Sequence, residues 1–173
     1  MKRALFNRPV TRRKMLSNAL VAGVGLSLSG VASLSLAQDA MPIAIDVYKD
    51  PNCGCCANWI EHMDDSGFAS KVHHPRDLNG LKLKHGIKPE LQSCHTAVTK
   101  EGYAFEGHVP AKYIRRFLAR APANAKGLAV PGMPMESPGM EMGGSFTPYD
   151  VILFNTDGST SVYASIKSAK QQY

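Results

Sequence analysis

Residues 42–49 (PIAIDVYK) alternate apolar and polar positions with a β-branched bias, the period-2 pattern of a strand. Asp50-Pro51-Asn52 breaks it. Downstream the apolar spacing lengthens to a helical period over residues 56–66, with Trp59, Ile60 and Met63 on one face and Gly67 closing the element. A second strand is predicted over residues 68–74. Asp77 can cap a short helix running to His85, where Gly86 ends it. Residues 96–99 and 103–106 read as short strands around Lys100-Glu101-Gly102. Pro110 opens a helix over 111–121, with Tyr113, Ile114, Phe117 and Leu118 on one side. Residues 127–148, rich in Gly, Pro and Met, show no periodicity and read as a long loop. Strands over 149–154 and 159–166 flank Asn155-Thr156-Asp157-Gly158, whose Asp-Gly is a hairpin signal. Residues 168–173 are expected to be a loose tail. There is no internal repeat.

This succession predicts an α/β fold: a β-α-β half, then two strands and a helix, the outline of a thioredoxin-like single domain. To that outline the chain adds the Met/Gly/Pro-rich loop and a C-terminal β-hairpin. Residues 1–37 stand apart from it. Lys2, Arg3, Arg8, Arg12, Arg13 and Lys14 precede an apolar run over 16–36, and Ser35-Leu36-Ala37 offers small residues for cleavage. The pattern is that of a signal peptide, and Gly and Ser within the run weaken it as a membrane span. Thr11-Arg12-Arg13-Lys14-Met15-Leu16 resembles a twin-arginine signal. The alternative is a retained amphipathic anchor. Residues 38–173 then form the thioredoxin-like domain, with a length suited to one core.

The leader changes the charge argument. It holds six of the chain's 20 Lys+Arg and none of its 14 Asp+Glu, leaving 14 of each in residues 38–173. The formal +6 of the whole chain therefore belongs to the leader, and the domain shows no basic excess for nucleic acid or an anionic membrane surface. Once the leader is removed, no stable membrane span is expected.

An exported domain would ordinarily use its cysteines as disulfide staples. Here three of four are crowded into Cys53-Gly54-Cys55-Cys56, a spacing that rarely supplies the separation and direction a staple needs. Their place at a helix N-terminus favours thiolate, which both redox exchange and soft-metal binding require. Cys53 and Cys56 have the C-x-x-C spacing of thiol-disulfide oxidoreductases. A third thiol between them and Cys94 before the strand at Thr96 exceed what such an enzyme needs. If the fold is thioredoxin-like, all four sulfurs can converge. Adjacent Cys55-Cys56 suits bridging of Cu(I), for which soft sulfur ligands select, better than the separated knuckles of structural zinc, so zinc ranks second. Met133, Met135, Met140 and Met142 add four thioethers.

Each residue also has a plainer reading. The clustered cysteines could be one disulfide and a spare thiol, Cys94 a small buried hydrophobe, and the loop methionines simple apolar contacts. Met63 and Trp59 read as core. His95, beside Cys94, is the best nitrogen ligand or outer donor. His62 reads as solvated, His73-His74 as a surface pair, and His85 and His108 as lacking a neighbouring constellation.

The run Asp50-Pro51-Asn52-Cys53-Gly54-Cys55-Cys56-x-x-Trp59, with Cys94 and Gly127-Leu128-Ala129-Val130-Pro131-Gly132-Met133-Pro134, resembles the CopG-like periplasmic proteins of bacterial copper resistance. That family was long known only as a domain of unknown function. The resemblance implies a thioredoxin-like fold, a periplasmic location and copper held by Cys53, Cys55, Cys56 and Cys94. It also implies a role in interconverting Cu(I) and Cu(II), with other periplasmic copper-handling proteins as partners. Met133 and Met140 fall where the loop looks family-like, whereas Met135 and Met142 look like additions. Cu(I) binding for copper tolerance is the leading expectation. A copper oxidoreductase, a passive copper chaperone, a thiol-disulfide oxidoreductase using Cys53 and Cys56, and a zinc-stapled domain remain open.

Overall fold

The alternation of β1 (Ile43–Lys49) becomes alternating burial, with Ile45 and Val47 in the core. The computed structural model describes residues 41–173; the expected leader and its cleavage site lie outside the described residues. After β1 come α1 (Gly54–Asp65), β2 (Phe68–His73), α2 (Leu78–Lys84), β3 (His95–Val98), β4 (Ala104–Glu106) and α3 (Ala111–Ala119). Then follow β5 (Ala125–Ala129), β6 (Tyr149–Asn155) and β7 (Thr160–Ile166). Short 3₁₀ turns occupy Pro89–Leu91 and Ala169–Gln171. The result is a mixed α/β domain built on a seven-stranded sheet of order β2-β1-β3-β4-β5-β6-β7.

β1 pairs parallel with β2 and antiparallel with β3, and β3 pairs antiparallel with β4. β5 runs parallel to β4, and β6 and β7 continue antiparallel beyond it. In the middle strands successive residues serve opposite layers, as the pleat requires. Ala97, Phe105 and Leu128 join the core that contains Trp59, Met63, Ile114 and Phe117 of α1 and α3. Val98, Ala104 and Ala129 join a second core with Ile87 and Leu91. Trp59 and Met63 are fully buried, as their helical spacing foretold. Each such side chain contributes about 1.5–3 kcal/mol by leaving water. The indole N–H of Trp59 donates to the Val109 carbonyl at 3.0 Å, so its polar edge is satisfied. Asp77 caps α2 by accepting from the Gly80 N–H at 2.7 Å.

Two expectations are corrected. The long loop was expected from residue 127, but Ala125–Ala129 is a strand between β4 and β6. It is largely covered on both faces and built from Ala, Gly and Leu with a single half-buried Lys126, so it has neither polar alternation nor β-branched content to betray it. The expected loose tail is also tied down. Gln172 is buried; its side-chain amide donates to the Glu136 carbonyl at 2.9 Å and its Oε1 accepts from the Tyr149 hydroxyl at 2.5 Å. The Tyr113 hydroxyl donates to the Gln171 carbonyl at 2.9 Å. These anchors are polar and distant in sequence, so no local hydrophobic period announces them. Among the described residues no helix is long and apolar enough to cross a membrane.

Candidate metal centre

The turn between β1 and α1 aims the first three cysteines. Asp50 accepts the Asn52 N–H through its carboxylate and the Cys53 N–H through its carbonyl, at 2.8 and 3.1 Å. The buried Lys49 ammonium donates to the Asp50 carbonyl at 2.8 Å, fixing the turn from below. Cys53 is the N-cap residue of α1, and Cys55 and Cys56 lie in its first turn. Cys94 arrives from the segment before β3. The sulfurs of Cys53, Cys55, Cys56 and Cys94 all lie within 4.8 Å of one another. Cys53 and Cys56 are joined as a disulfide, and Cys55 and Cys94 are free thiols. Cys55 Sγ stands 3.5 Å from Cys53 Sγ and 3.9 Å from Cys94 Sγ.

Cys94 is the junction of this cluster with a second one. Its sulfur is 3.3 Å from His95 Nδ1 and 3.2 Å from His108 Nε2. His95, anticipated as a nitrogen donor, is fully buried, and its Nε2 has no partner among the described residues. His108 was read as having no neighbouring constellation; the fold places it beside Cys94. The hairpin register explains why. Thr96 pairs with Glu106 across β3 and β4, so continuing the ladder outward brings residue 108 opposite residue 94. That register was recoverable from two short strands around one turn. Only a search for local neighbours conceals it.

The approach of His108 depends on Gly107. Its φ is +71°, and a Cβ there would sit 2.6 Å from both the Val130 carbonyl oxygen and the Ser93 side chain. The opposite edge of the His108 ring is fixed by Pro138, whose carbonyl lies 2.8 Å from Nδ1. A carbonyl only accepts, so Nδ1 carries the ring hydrogen and Nε2 presents its lone pair toward Cys94. A metal-binding histidine held by its other N–H has this arrangement.

The electrostatics keep these donors neutral in the metal-free protein. Burial drives the His95 imidazole well below its ordinary range, and neighbouring His108, Lys82 and Lys49 push in the same direction. Burial also lowers His108, against the Pro138 carbonyl and Glu141, which oppose it. Cys94 sits off the helix terminus, and its thiol departs from the expected thiolate tendency. Burial and then the neighbouring Cys55 push it up to about 12. A cation binding there displaces a proton.

A folded-state histidine pKa held below the unfolded value makes the unfolded chain the better proton binder. Stability is therefore retained above the unfolded pKa of about 6.5 and lost as pH falls below it. Chemical denaturation of the metal-free protein should show a decline of up to about 1.4 kcal/mol per pH unit for each imidazole that stays neutral. His108→Asn should flatten the slope between about pH 6.5 and 5. An identical slope in that variant would remove His108 from the account.

Beneath the cluster lies a buried polar support absent from the sequence reading. Glu106 is fully buried and Lys82 nearly so. Glu106 accepts from Lys82 Nζ at 2.5 Å, Thr96 Oγ1 at 2.6 Å and the Ser93 N–H at 2.7 Å. It thereby ties α2, β3, β4 and the residue before Cys94 together. The other histidines lie elsewhere. His62 accepts the Ala111 N–H at the start of α3, at 3.1 Å. His73 pairs with Asp46 at 2.6 Å, His74 faces the Lys49 carbonyl at 3.0 Å, and His85 is the C-cap of α2. Of the loop methionines, Met133, Met140 and Met142 share a cleft with Cys55, whereas Met135 does not line it.

Comparison with known proteins returns a consistent family. A family model described as a protein of unknown function, DUF411, matches residues 91–140. Two solved structures, forms 1 and 2 of a copper resistance protein CopG, are each 43% identical to this chain, with TM-scores of 0.68. The first covers 73% of this chain and 99% of its own, the second 72% and 98%. No curated protein matches.

Proposed function

The chain belongs to the CopG copper-resistance family, and on that premise we propose that it binds copper as Cu(I) through Cys53, Cys55, Cys56 and Cys94. His95 and His108 supply nitrogen at the inner edge. The carrying observation is the position of Cys94: one sulfur lies within 4 Å of Cys55 and of both buried imidazoles. Soft thiolates select Cu(I), and neutral imidazole is compatible with it. His95 Nδ1, 3.3 Å from the Cys94 sulfur, and the oriented lone pair of His108 fit a site completed by a cation.

The same residues support interconversion of Cu(I) and Cu(II) as a role in copper tolerance. In the reduced form, Cys53 and Cys56 can each release one electron to a Cu(II) ion as their sulfurs join. Two Cu(II) become two Cu(I), and two thiolates become one disulfide. The disulfide between these residues is the oxidised end of that couple. We read the order β2-β1-β3-β4, with α1 and α3 against the core containing Ile45, Ala97 and Phe105, as thioredoxin-like. The family and the basic, apolar leader read over residues 1–37 support export to the periplasm, where other copper-handling proteins would be its partners.

Anaerobic Cu(I) titration of the reduced protein against a Cu(I) chelator tests the site. Tight uptake is expected in the wild type, with reduced capacity in Cys55→Ser. Uptake indifferent to Cys55 would overturn the shared site. One observation favours a second reading: the Cys53–Cys56 disulfide at a helix N-terminus is also the working pair of a thiol-disulfide oxidoreductase. That reading requires Cys55→Ser and Cys94→Ser to retain full disulfide reductase activity.

A further inference from the structure

Beside the cysteine cluster, an open cleft of about 560 Å³ separates the first turns of α1 from the methionine loop. Gly54, Cys55 and Asn58 form one wall; Met133, Met140, Glu141 and Met142 form the other. Met133 is 53% exposed and Met142 75%. Thioethers so open to water contribute little to the hydrophobic core, yet their backbone is held. Glu136 accepts the N–H groups of Met142 and Gly144 through one carboxylate oxygen, at 2.9 and 2.8 Å, and donates its own N–H to the Met140 carbonyl at 3.2 Å. Gly139 lies so close to α1 that a Cβ would stand 2.6 Å from the Trp59 nitrogen and 2.7 Å from the Cys55 carbonyl oxygen.

Glu141 is the one carboxylate in the cleft wall, and both of its oxygens are engaged. One accepts the Tyr173 hydroxyl at 2.7 Å, the other the Gly139 N–H at 2.6 Å. Asn58 adds only a neutral amide oxygen, a hard donor, so the soft donors left open in the cleft are sulfur. Thioethers carry no proton to lose and no charge to attract hard divalent ions, so they select monovalent soft cations. Cys55 is common to the cleft and the cysteine cluster.

We infer that this cleft is a landing site for Cu(I), with Met133, Met140 and Met142 as thioether donors and Cys55 as the sulfur that receives the ion. The inference rests on the proposed copper reading of the cysteines and adds the route in. Transfer is ligand exchange without electron transfer. Copper–thioether bonds break as a copper–thiolate bond forms at Cys55, and the thiol proton leaves to solvent.

The test uses Cys55→Ser/Cys94→Ser protein under non-reducing conditions, where the Cys53–Cys56 disulfide leaves no free thiol. Methionine methyls are labelled with ¹³C, assigned by single Met→Leu variants and titrated with Ag(I), a redox-inert probe. Selective shifts of the Met133, Met140 and Met142 methyls are expected. Met41, exposed outside the cleft, Met135, also outside it, and the buried Met63 should stay fixed. No shift, or equal shifts at Met41 and Met135, overturns the site and leaves adventitious thioether binding only. In a Met133→Leu/Met140→Leu/Met142→Leu variant with native cysteines, Cu(I) capacity should persist while uptake from a chelated donor slows. An unchanged rate overturns the entry role. Failure of the cysteine reading registers separately, as wild-type capacity indifferent to Cys55, and leaves the methyl shifts untouched.

Discussion

Cys94→Ser should weaken Cu(I) binding by more than about 100-fold while changing the stability of the metal-free protein little. The first part follows from position. Removing an outer partner of a metal ligand typically costs about 10–100-fold in affinity, and Cys94 is a proposed ligand whose sulfur also adjoins Cys55, His95 and His108. A serine hydroxyl is a hard donor and a poor substitute for a soft cation. The second part follows from size and exposure. Serine nearly matches cysteine in shape, and Cys94 is only half-buried. Anaerobic chelator competition and a denaturant melt on the same preparation separate the two effects. Unchanged affinity would remove Cys94 from the site; collapse of the fold would show that it acts as a structural hydrophobe.

The second large effect lies below the metal centre. Glu106→Ala should destabilise the protein by about 3–5 kcal/mol, the cost of leaving one member of a buried ion pair uncompensated. Lys82, only 2% exposed, would retain only the Thr96 hydroxyl, and the Ser93 N–H beside Cys94 would lose its acceptor. Burial pushes the Glu106 carboxyl up, while Lys82 and the hydrogen bonds from Thr96 and Ser93 pull it back down. The carboxylate therefore depends on all three. Lys82→Met/Glu106→Leu should recover much of the lost stability, because replacing both charges removes the desolvation penalty. It should not restore the hold on Ser93, so copper binding should stay weakened. Urea denaturation of both variants checks the first half, and a loss below about 1 kcal/mol in Glu106→Ala would mean that the pair is not what holds these elements.

Legibility in the sequence followed the range of the interactions. Ile45 and Val47 announced β1 and Trp59 and Met63 announced α1, because burial of one face imposes a local period. Asp77 announced α2 because an N-cap acts within three residues. The Cys53-Gly54-Cys55-Cys56 crowd announced thiol chemistry through spacing alone. β5 stayed hidden because Ala125–Ala129 is largely covered on both faces and carries no alternation. His108 stayed hidden because its partners, Cys94 and the Pro138 carbonyl, lie 14 and 30 positions away. Glu106 and Lys82 resemble ordinary surface charges until a sheet and a helix close over both.

By itself the sequence determined the alternation of strands and helices outside β5, the crowding of the cysteines and their soft-ligand character. Only the tertiary structure decided which donors meet. It drew Cys94 to Cys55, turned the His108 lone pair toward that sulfur, buried His95 and laid three thioethers beside the cluster. The physical reason is that local patterns record which face of an element leaves water, whereas a binding site is assembled from chain segments that only the closing of the sheet brings within bonding distance.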